Sequence, residues 1–136
     1  VARINVDKHG LADRITLIES DGLAQARGRY DLILCNPPYV NAQSMRALPA
    51  EYLAEPELAL ASGDDGMDFT RTLLATLRAD TERYLSPDAV LVLEIGNERP
   101  HFEHAFRKLE VAWLETSAGD DQVLLVTRDA LLRWAR

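Results

Sequence analysis

The sequence predicts an α/β domain with a mostly parallel sheet that ends in an antiparallel hairpin. Segments with helical spacing of apolar residues alternate with short apolar runs, which is typical of parallel strands joined by helices. The last two apolar runs, Val111–Ser117 and Gln122–Arg128, are separated by only a few residues around Gly119, which predicts a hairpin. With 136 residues, the chain can form one domain with a core of its own.

The first half of the chain predicts one helix and two strands. The helix covers Val1–His9 and stops at Gly10, and the strands are Arg14–Ser20 (RITLIES) and Tyr30–Cys35 (YDLILC). The second strand is apolar enough to be covered on both faces of the sheet. Asn41–Gly66 is then a long connection with a short helix near its middle, and connections of this length are often functional.

The second half predicts three helices that alternate with strands. The predicted elements, in order, are a helix over Asp65–Leu85, a turn at Ser86-Pro87-Asp88, a strand over Ala89–Gly96, a helix over Glu98–Leu109, the hairpin, and a helix over Asp129–Trp134. Acidic residues at the start of the first helix suit its dipole, and Pro100 suits the first turn of the second. Trp113 and Trp134 are expected to pack on the core.

Composition and charge favour a soluble protein that acts on a small or basic partner. The formal net charge is −7 and the basic residues are scattered, whereas proteins that bind nucleic acid usually present a basic face. No apolar run reaches the length of a membrane span. Cys35 is the single cysteine, so no disulfide can form within the chain, and a reducing, cytoplasmic setting is expected.

Three predicted strands end in residues suited to binding. Asp21-Gly22 follows the first, Asn36-Pro37-Pro38-Tyr39 follows the second, and Gly96-Asn97 follows the third. Because ligands gather beyond the carboxyl ends of strands in such sheets, these residues are expected to line one rim.

The Asn36–Tyr39 segment has the chemistry of a receptor for a planar amino group. The Asn36 side chain supplies an acceptor oxygen, and Pro37 and Pro38 hold the loop rigid without N–H groups of their own. Tyr39 offers a flat face for stacking. Acceptors on the two hydrogens of such a nitrogen would hold it for attack on an electrophile. The structural alternative is that the prolines only end a strand while Tyr39 packs on the core.

The stretch NPPYVNAQSMRALPAEYLAEPELALASGDDGMDFTR resembles the N5-glutamine methyltransferases, which depend on S-adenosylmethionine. Within that family, LPAEYLAEPELALASG is most similar to the PrmB branch, which modifies a large-subunit ribosomal protein. The resemblance implies a class I methyltransferase (Rossmann-like) sheet and a basic ribosomal protein as partner, which an acidic surface would suit.

The resemblance also implies roles for individual residues. Asn36 would be the catalytic residue, and Asn36, Pro37, Pro38 and Tyr39 would bind the target amide. Asp21 and Gly22 would meet the adenine of the cofactor, and Asn36 would be a further cofactor-binding residue. Glu55-Pro56 and Ser62-Gly63 match a family loop near the acceptor site, with no chemical step assigned to them.

Two features of the family have no counterpart in the sequence. The glycine-rich loop that holds the methionine end of the cofactor is missing, and so is the acidic residue that binds its ribose. Residues 1–136 therefore resemble the C-terminal part of the catalytic domain, without the N-terminal substrate domain and the first two strands. Val1 in place of methionine is consistent with a fragment. The family strand order 3-2-1-4-5-7-6 would then leave the edge of YDLILC exposed to association. The chain alone is expected to bind S-adenosylmethionine weakly or not at all and to be inactive.

Two other interpretations remain open. The same four-residue receptor occurs in the sister branch that acts on peptide-chain release factors and in methyltransferases that act on amino groups of nucleic acids. The chain could also be a non-catalytic remnant or binding module.

Four side chains outside the motif are candidates for chemistry. His101 and His104, with Glu103 between them, form a weak metal pattern that favours ordinary surface histidines. Glu94 lies inside a predicted strand and needs a partner. Cys35 is interpreted as a buried strand residue rather than a nucleophile.

Overall fold

Four strands form one open mixed sheet in the computed structural model, which describes residues 1–117 and 119–134. The strands are β1 Tyr30–Cys35, β2 Leu85–Glu94, β3 Ala112–Thr116 and β4 Gly119–Thr127. The helices are α1 Ala2–Lys8, α2 Ala42–Arg46, α3 Asp68–Ala79, α4 Thr81–Tyr84, α5 Arg99–Ala105 and α6 Arg128–Arg133. Two 3-10 turns, Ala50–Ala54 and Glu57–Ala59, lie between α2 and α3. None of the helices in these ranges is long and apolar enough to cross a membrane.

The strand order is β1-β2-β4-β3, and only one of the three pairings is parallel. β1 pairs with β2 in parallel, whereas β2 with β4 and β4 with β3 are antiparallel. The α/β class and the terminal hairpin are thus confirmed, although Ala118 of its predicted turn lies outside the described residues. The prediction of a mostly parallel sheet is wrong for this part of the chain, because the hairpin contributes two of the three pairings.

The RITLIES segment does not form the predicted strand. A strand is stabilised by hydrogen bonds to a neighbouring backbone, and residues 14–20 pair with none of the four strands that the structure describes. The apolar side chains of Ile15, Leu17 and Ile18 are instead exposed. The apolar pattern is typical of a strand, but a pattern cannot provide the pairing partner.

The predicted turn at Ser86-Pro87-Asp88 lies inside β2. Tyr30 pairs with Leu85 and Leu32 with Val90, so several residues of β2 face a single residue of β1. Proline is tolerated in a sheet at such irregularities because no regular ladder bond needs its missing N–H. β2 therefore begins earlier than the sequence pattern predicted.

The long helix predicted over Asp65–Leu85 is divided into α3 and α4. Asp80 leaves the helical conformation at φ −132° and ψ 47°, and α4 then brings Tyr84 into the core. The helix predicted over Glu98–Leu109 is shorter, but its proline lies in the first turn as expected.

The core occupies one face of the sheet. Leu91 and Leu93 of β2 and Leu124 and Val126 of β4 are almost fully buried on that face, and α6 packs against both strands and against α3. Phe102 of α5 and Phe106, directly after that helix, extend this core to Trp113 and Trp134, with ring centroids 6.0 and 5.8 Å apart. The predicted packing of both tryptophans is confirmed.

The opposite face of the sheet is open at β1. Leu32 is 50% exposed and Leu34 is 72% exposed, and both alternate with Ile33 and Cys35, which contact the core. The prediction that YDLILC is covered on both faces is therefore wrong among the described residues. β1 is also an edge strand, as expected for YDLILC.

Candidate functional site

The Asn36–Tyr39 segment connects the end of β1 to a short parallel bridge. Asn36 is exposed while the next residue, Pro37, is buried. Beyond the segment, the Val40 N–H donates to the carbonyl of Leu60 at 2.8 Å, and the Ser62 N–H donates to the carbonyl of Val40 at 3.1 Å. The segment is therefore fixed at both ends, by a strand before it and by a bridge after it.

A cavity of about 470 Å³ opens on one side of this segment. We call it the motif pocket, and its lining includes Asn36, Pro37, Tyr39, Tyr52, Asn97 and Glu98. The structure thus brings together the ends of β1 and β2, as the rim prediction required. Tyr52 and Glu55 come from the long connection, so this connection supplies part of the wall.

A second cavity, of about 540 Å³, lies on the other side of the segment. We call it the turn pocket, and it is lined by Asp21, Gly22, Pro38, Ser62 and Phe69, among others. Pro37 and Tyr39 thus face one cavity while Pro38 faces the other. The predicted single rim is divided in two by the motif itself.

Tyr39 is held between Glu94 and Gly96. Its hydroxyl donates a hydrogen bond to Oε1 of Glu94 at 3.4 Å, so the strand-interior carboxylate has the partner that the sequence required. Burial, followed by the nearby charge of Glu94, raises the pKa of the Tyr39 phenol above its ordinary value. The phenol therefore stays protonated and able to donate at neutral pH.

Two glycines allow the close packing around Tyr39. A Cβ on Gly96 would lie 2.5 Å from Cε2 of the Tyr39 ring, and a Cβ on Gly66 would lie 2.2 Å from the Tyr39 carbonyl oxygen. Both glycines also have positive φ, +54° and +77°, which other residues rarely adopt. No pattern in the sequence marks either glycine as a support for Tyr39.

The start of α3 shapes the turn pocket through short-range bonds. The Phe69 N–H donates to Oγ of Ser62 at 2.9 Å, which caps the helix. A Cβ on Gly63 would lie 2.1 Å from Oδ2 of Asp68, so the loop passes directly against this carboxylate. Arg71 forms ion pairs with Asp65 and Asp68, and its hydrogen bond holds the pKa of Asp65 below the ordinary value.

Cys35 lies directly before the motif and is half-buried. Burial raises the pKa of its thiol, so the thiolate, which is the nucleophilic form, is disfavoured at neutral pH. This agrees with its interpretation as a packing residue.

Comparison with known proteins connects this geometry to a family. No model of a protein family matches the chain. The chain is 54% identical over 96% of its length to a ribosomal protein uL3 glutamine methyltransferase of Bordetella pertussis. A protein of the same name from Neisseria gonorrhoeae is 51% identical over 97% of the chain, and one from Francisella tularensis is 39% identical over 98%.

Over nearly its whole length, the chain is similar to proteins named as glutamine methyltransferases. It spans about 43% of the length of the Bordetella and Neisseria relatives. The resemblance predicted from the NPPYVNAQSMRALPAEYLAEPELALASG stretch is therefore confirmed, including the branch named for a large-subunit ribosomal protein.

One cluster of side chains at the motif pocket has no signal in the sequence. Asn41 and Glu98 are 8% and 6% exposed, and Nδ2 of Asn41 donates to Oε1 of Glu98 at 2.7 Å. Nδ1 of His101 lies 2.5 Å from Oε2 of the same carboxylate. Asn41 was recognisable as a helix-capping residue type, but its pairing with Glu98 spans 57 residues and has no local signal.

The two histidines of the weak metal pattern have other partners. His101 contacts Glu98, and Nδ1 of His104 lies 3.2 Å from the Arg107 guanidinium. Within residues 1–117 and 119–134, no group of three or more metal-ligating side chains is close enough to hold an ion.

Proposed function

We propose that residues 1–136 are the C-terminal part of the catalytic domain of a longer enzyme. This parent enzyme would transfer a methyl group from S-adenosylmethionine to the side-chain amide nitrogen of a glutamine in a ribosomal protein. The observation that carries the proposal is the position of Asn36, which is exposed at the end of β1 on a cavity whose wall includes buried Pro37 and half-buried Tyr39. The names of the relatives supply the substrate class.

In this proposal the motif pocket holds the glutamine amide. The Asn36 carboxamide oxygen and the Pro37 carbonyl accept the two N–H hydrogens, and the Tyr39 ring packs against the amide plane. Pro37 and Pro38 fix φ, so the acceptors are in position before the substrate arrives. Acceptors on both hydrogens also stabilise the positive charge that develops on nitrogen as it attacks.

The turn pocket fits the adenine end of the cofactor. It combines the Asp21 carboxylate, which can accept from an exocyclic amine, with the Gly22 backbone and the Phe69 ring as a flat neighbour. S-adenosylmethionine, when bound, supplies an electrophilic methyl group on a sulfonium. Pro38 lines the turn pocket whereas Pro37 lines the motif pocket, so the proposed donor and acceptor cavities are both bordered by the same short motif.

The remainder of the parent enzyme would complete the sheet and the cofactor site. The observed order β1-β2-β4-β3 corresponds to the last four positions of the family order 3-2-1-4-5-7-6. The missing strands would pair with the free edge of β1 and with RITLIES, and a glycine-rich loop would hold the rest of the cofactor. The chain by itself is then inactive and binds S-adenosylmethionine weakly or not at all.

The test is Asn36→Ala in the parent enzyme, with Asn5→Ala on the exposed surface of α1 as the control. Transfer of tritiated methyl groups to ribosomal protein should fall by about 100-fold or more, as for loss of one charge-stabilising group. Thermal unfolding should match that of the control, since Asn36 is exposed. Transfer at the wild-type rate by Asn36→Ala would contradict the proposal.

The same assay separates the alternatives. Label in a release factor would indicate the sister branch, and label in the nucleic-acid fraction would indicate an amino-methyltransferase of bases. The net charge of −7 argues against the latter.

A further inference from the structure

A buried chain of hydrogen bonds connects α5 to the segment that follows the motif. Asn41 donates from Nδ2 to Glu98 at 2.7 Å and accepts at Oδ1 from the Ser44 N–H at 2.8 Å. His101, whose side chain is 46% exposed, contacts the second carboxylate oxygen of Glu98 at 2.5 Å. Both oxygens of this buried carboxylate therefore have a partner.

The direction of the two Asn41 bonds is fixed by chemistry. An amide nitrogen can only donate, so Nδ2 of Asn41 donates to Glu98, and its amide oxygen accepts from the Ser44 N–H. The Asn41 amide is then oriented with its nitrogen towards Glu98 and its oxygen towards the start of α2. This orientation caps α2 at the point where the chain leaves the motif.

The bonds act on a segment that is confined on its other side. A Cβ on Gly66 would lie 2.2 Å from the Tyr39 carbonyl and 3.3 Å from the Asn41 nitrogen, so the backbone here packs directly against Gly66. The carboxylate of Glu98 restrains the same segment through Asn41. Glu98 and Ser44 also line the motif pocket.

We infer that Glu98 is a positioning residue for the acceptor amide, acting through Asn41 to set the wall of the motif pocket. The inference rests on the proposed function, because it takes this pocket as the glutamine site. It implies that weakening the Glu98–Asn41 bond impairs binding of the acceptor protein more than binding of the cofactor, whose proposed pocket has a different lining.

The test is a donor–acceptor exchange in the parent enzyme. Asn41→Asp places two carboxylates against each other. Adding Glu98→Gln restores the hydrogen bond between positions 41 and 98 with its direction reversed, because the introduced glutamine amide can donate to the introduced aspartate. In this double variant the aspartate still accepts from the Ser44 N–H, and the glutamine oxygen still accepts from His101.

Glu98→Gln alone keeps an acceptor for Asn41, while Glu98→Ala removes it. Glu103→Gln, on the exposed surface of the same helix, is the matched control.

The expected result is a pattern in KM for the acceptor protein. Asn41→Asp and Glu98→Ala should raise this KM by about tenfold or more, with a smaller change in kcat and a cofactor dissociation constant within about twofold of wild type. The double variant should return the KM for the acceptor protein to within about threefold of wild type, and Glu98→Gln alone should keep it within the same range. Glu103→Gln should leave this KM unchanged.

The possible outcomes separate this inference from the proposed function. If Asn36→Ala abolishes transfer but Asn41→Asp leaves KM within about twofold of wild type, the positioning role alone is overturned. It is also overturned if the double variant is as impaired as Asn41→Asp, or if cofactor affinity falls in parallel with acceptor affinity. If Asn36→Ala retains wild-type transfer, the proposed function itself fails. Thermal unfolding of every variant identifies any that lose the fold, and the double variant provides the rescue in that case.

Discussion

Gly96→Ala is expected to displace the Tyr39 ring from the motif pocket. The added Cβ would lie 2.5 Å from Cε2 and 3.1 Å from Cζ of that ring, well inside van der Waals contact. The backbone cannot easily move away, because the residues just before it are paired with β1 and β4. The ring must therefore tilt, and its hydrogen bond to Glu94 is broken.

The size of the effect follows from three contributions. Alanine at the φ of +54° costs about 1 kcal/mol, and a strained Tyr39 rotamer costs about 1 kcal/mol. Loss of the Tyr39–Glu94 hydrogen bond costs about 1 kcal/mol more. The free energy of unfolding should fall by about 3 kcal/mol, and methyl transfer by the proposed parent enzyme should fall as well, because Tyr39 leaves the proposed acceptor site.

The assay is chemical denaturation of the parent enzyme, with Gly10→Ala as the matched control. Gly10 has a similar φ of +62°, but a Cβ there would meet nothing within 4 Å. The control should therefore lose only the backbone contribution of about 1 kcal/mol. Combining Gly96→Ala with Tyr39→Ala removes the ring, and the cost of the glycine substitution should fall to that of the control. Equal losses for Gly96→Ala and Gly10→Ala would refute this reasoning.

Three further predictions concern charge and exposure. Asp65→Asn should reduce stability at neutral pH by less than about 1 kcal/mol, because the ion pair with Arg71 lies at the surface. The pKa of Asp65 in the folded protein is lowered from 3.8, so the stability difference between the variant and wild type should be present above pH 3.8. It should vanish as the pH falls through the lower pKa of the folded state. Urea denaturation at several pH values measures this difference. In an absorbance titration, Tyr39 is identified by the phenolate signal that is missing from Tyr39→Phe. This signal should appear above pH 10, because the pKa of Tyr39 is raised from 10.0. Glu94→Gln should lower the pKa of Tyr39 only partly, because burial is the larger cause of the shift. Leu34→Lys should reduce self-association of the 136-residue chain in sedimentation, since Leu34 is 72% exposed on edge strand β1; unchanged association would place the contact elsewhere.

Local patterns in the sequence predicted the position of several elements. The apolar run YDLILC gave β1 with its observed bounds, and Pro100 marked the first turn of α5. The predictions failed where a distant partner decides the structure. RITLIES has a strand pattern but no neighbour among the described strands, and Pro87 is part of β2 because the register with β1 is irregular there.

The same division applies to the candidate site. The sequence by itself determined the motif, because the acceptor oxygen of Asn36, the rigid prolines and the flat ring of Tyr39 are properties of adjacent residues. Only the tertiary structure decided which cavity each motif residue faces and what supports the motif. Glu98 meets Asn41 across 57 positions, and Gly96 passes under Tyr39 across a similar distance. Contacts at that separation depend on how the sheet brings strand ends together, and no short pattern encodes them.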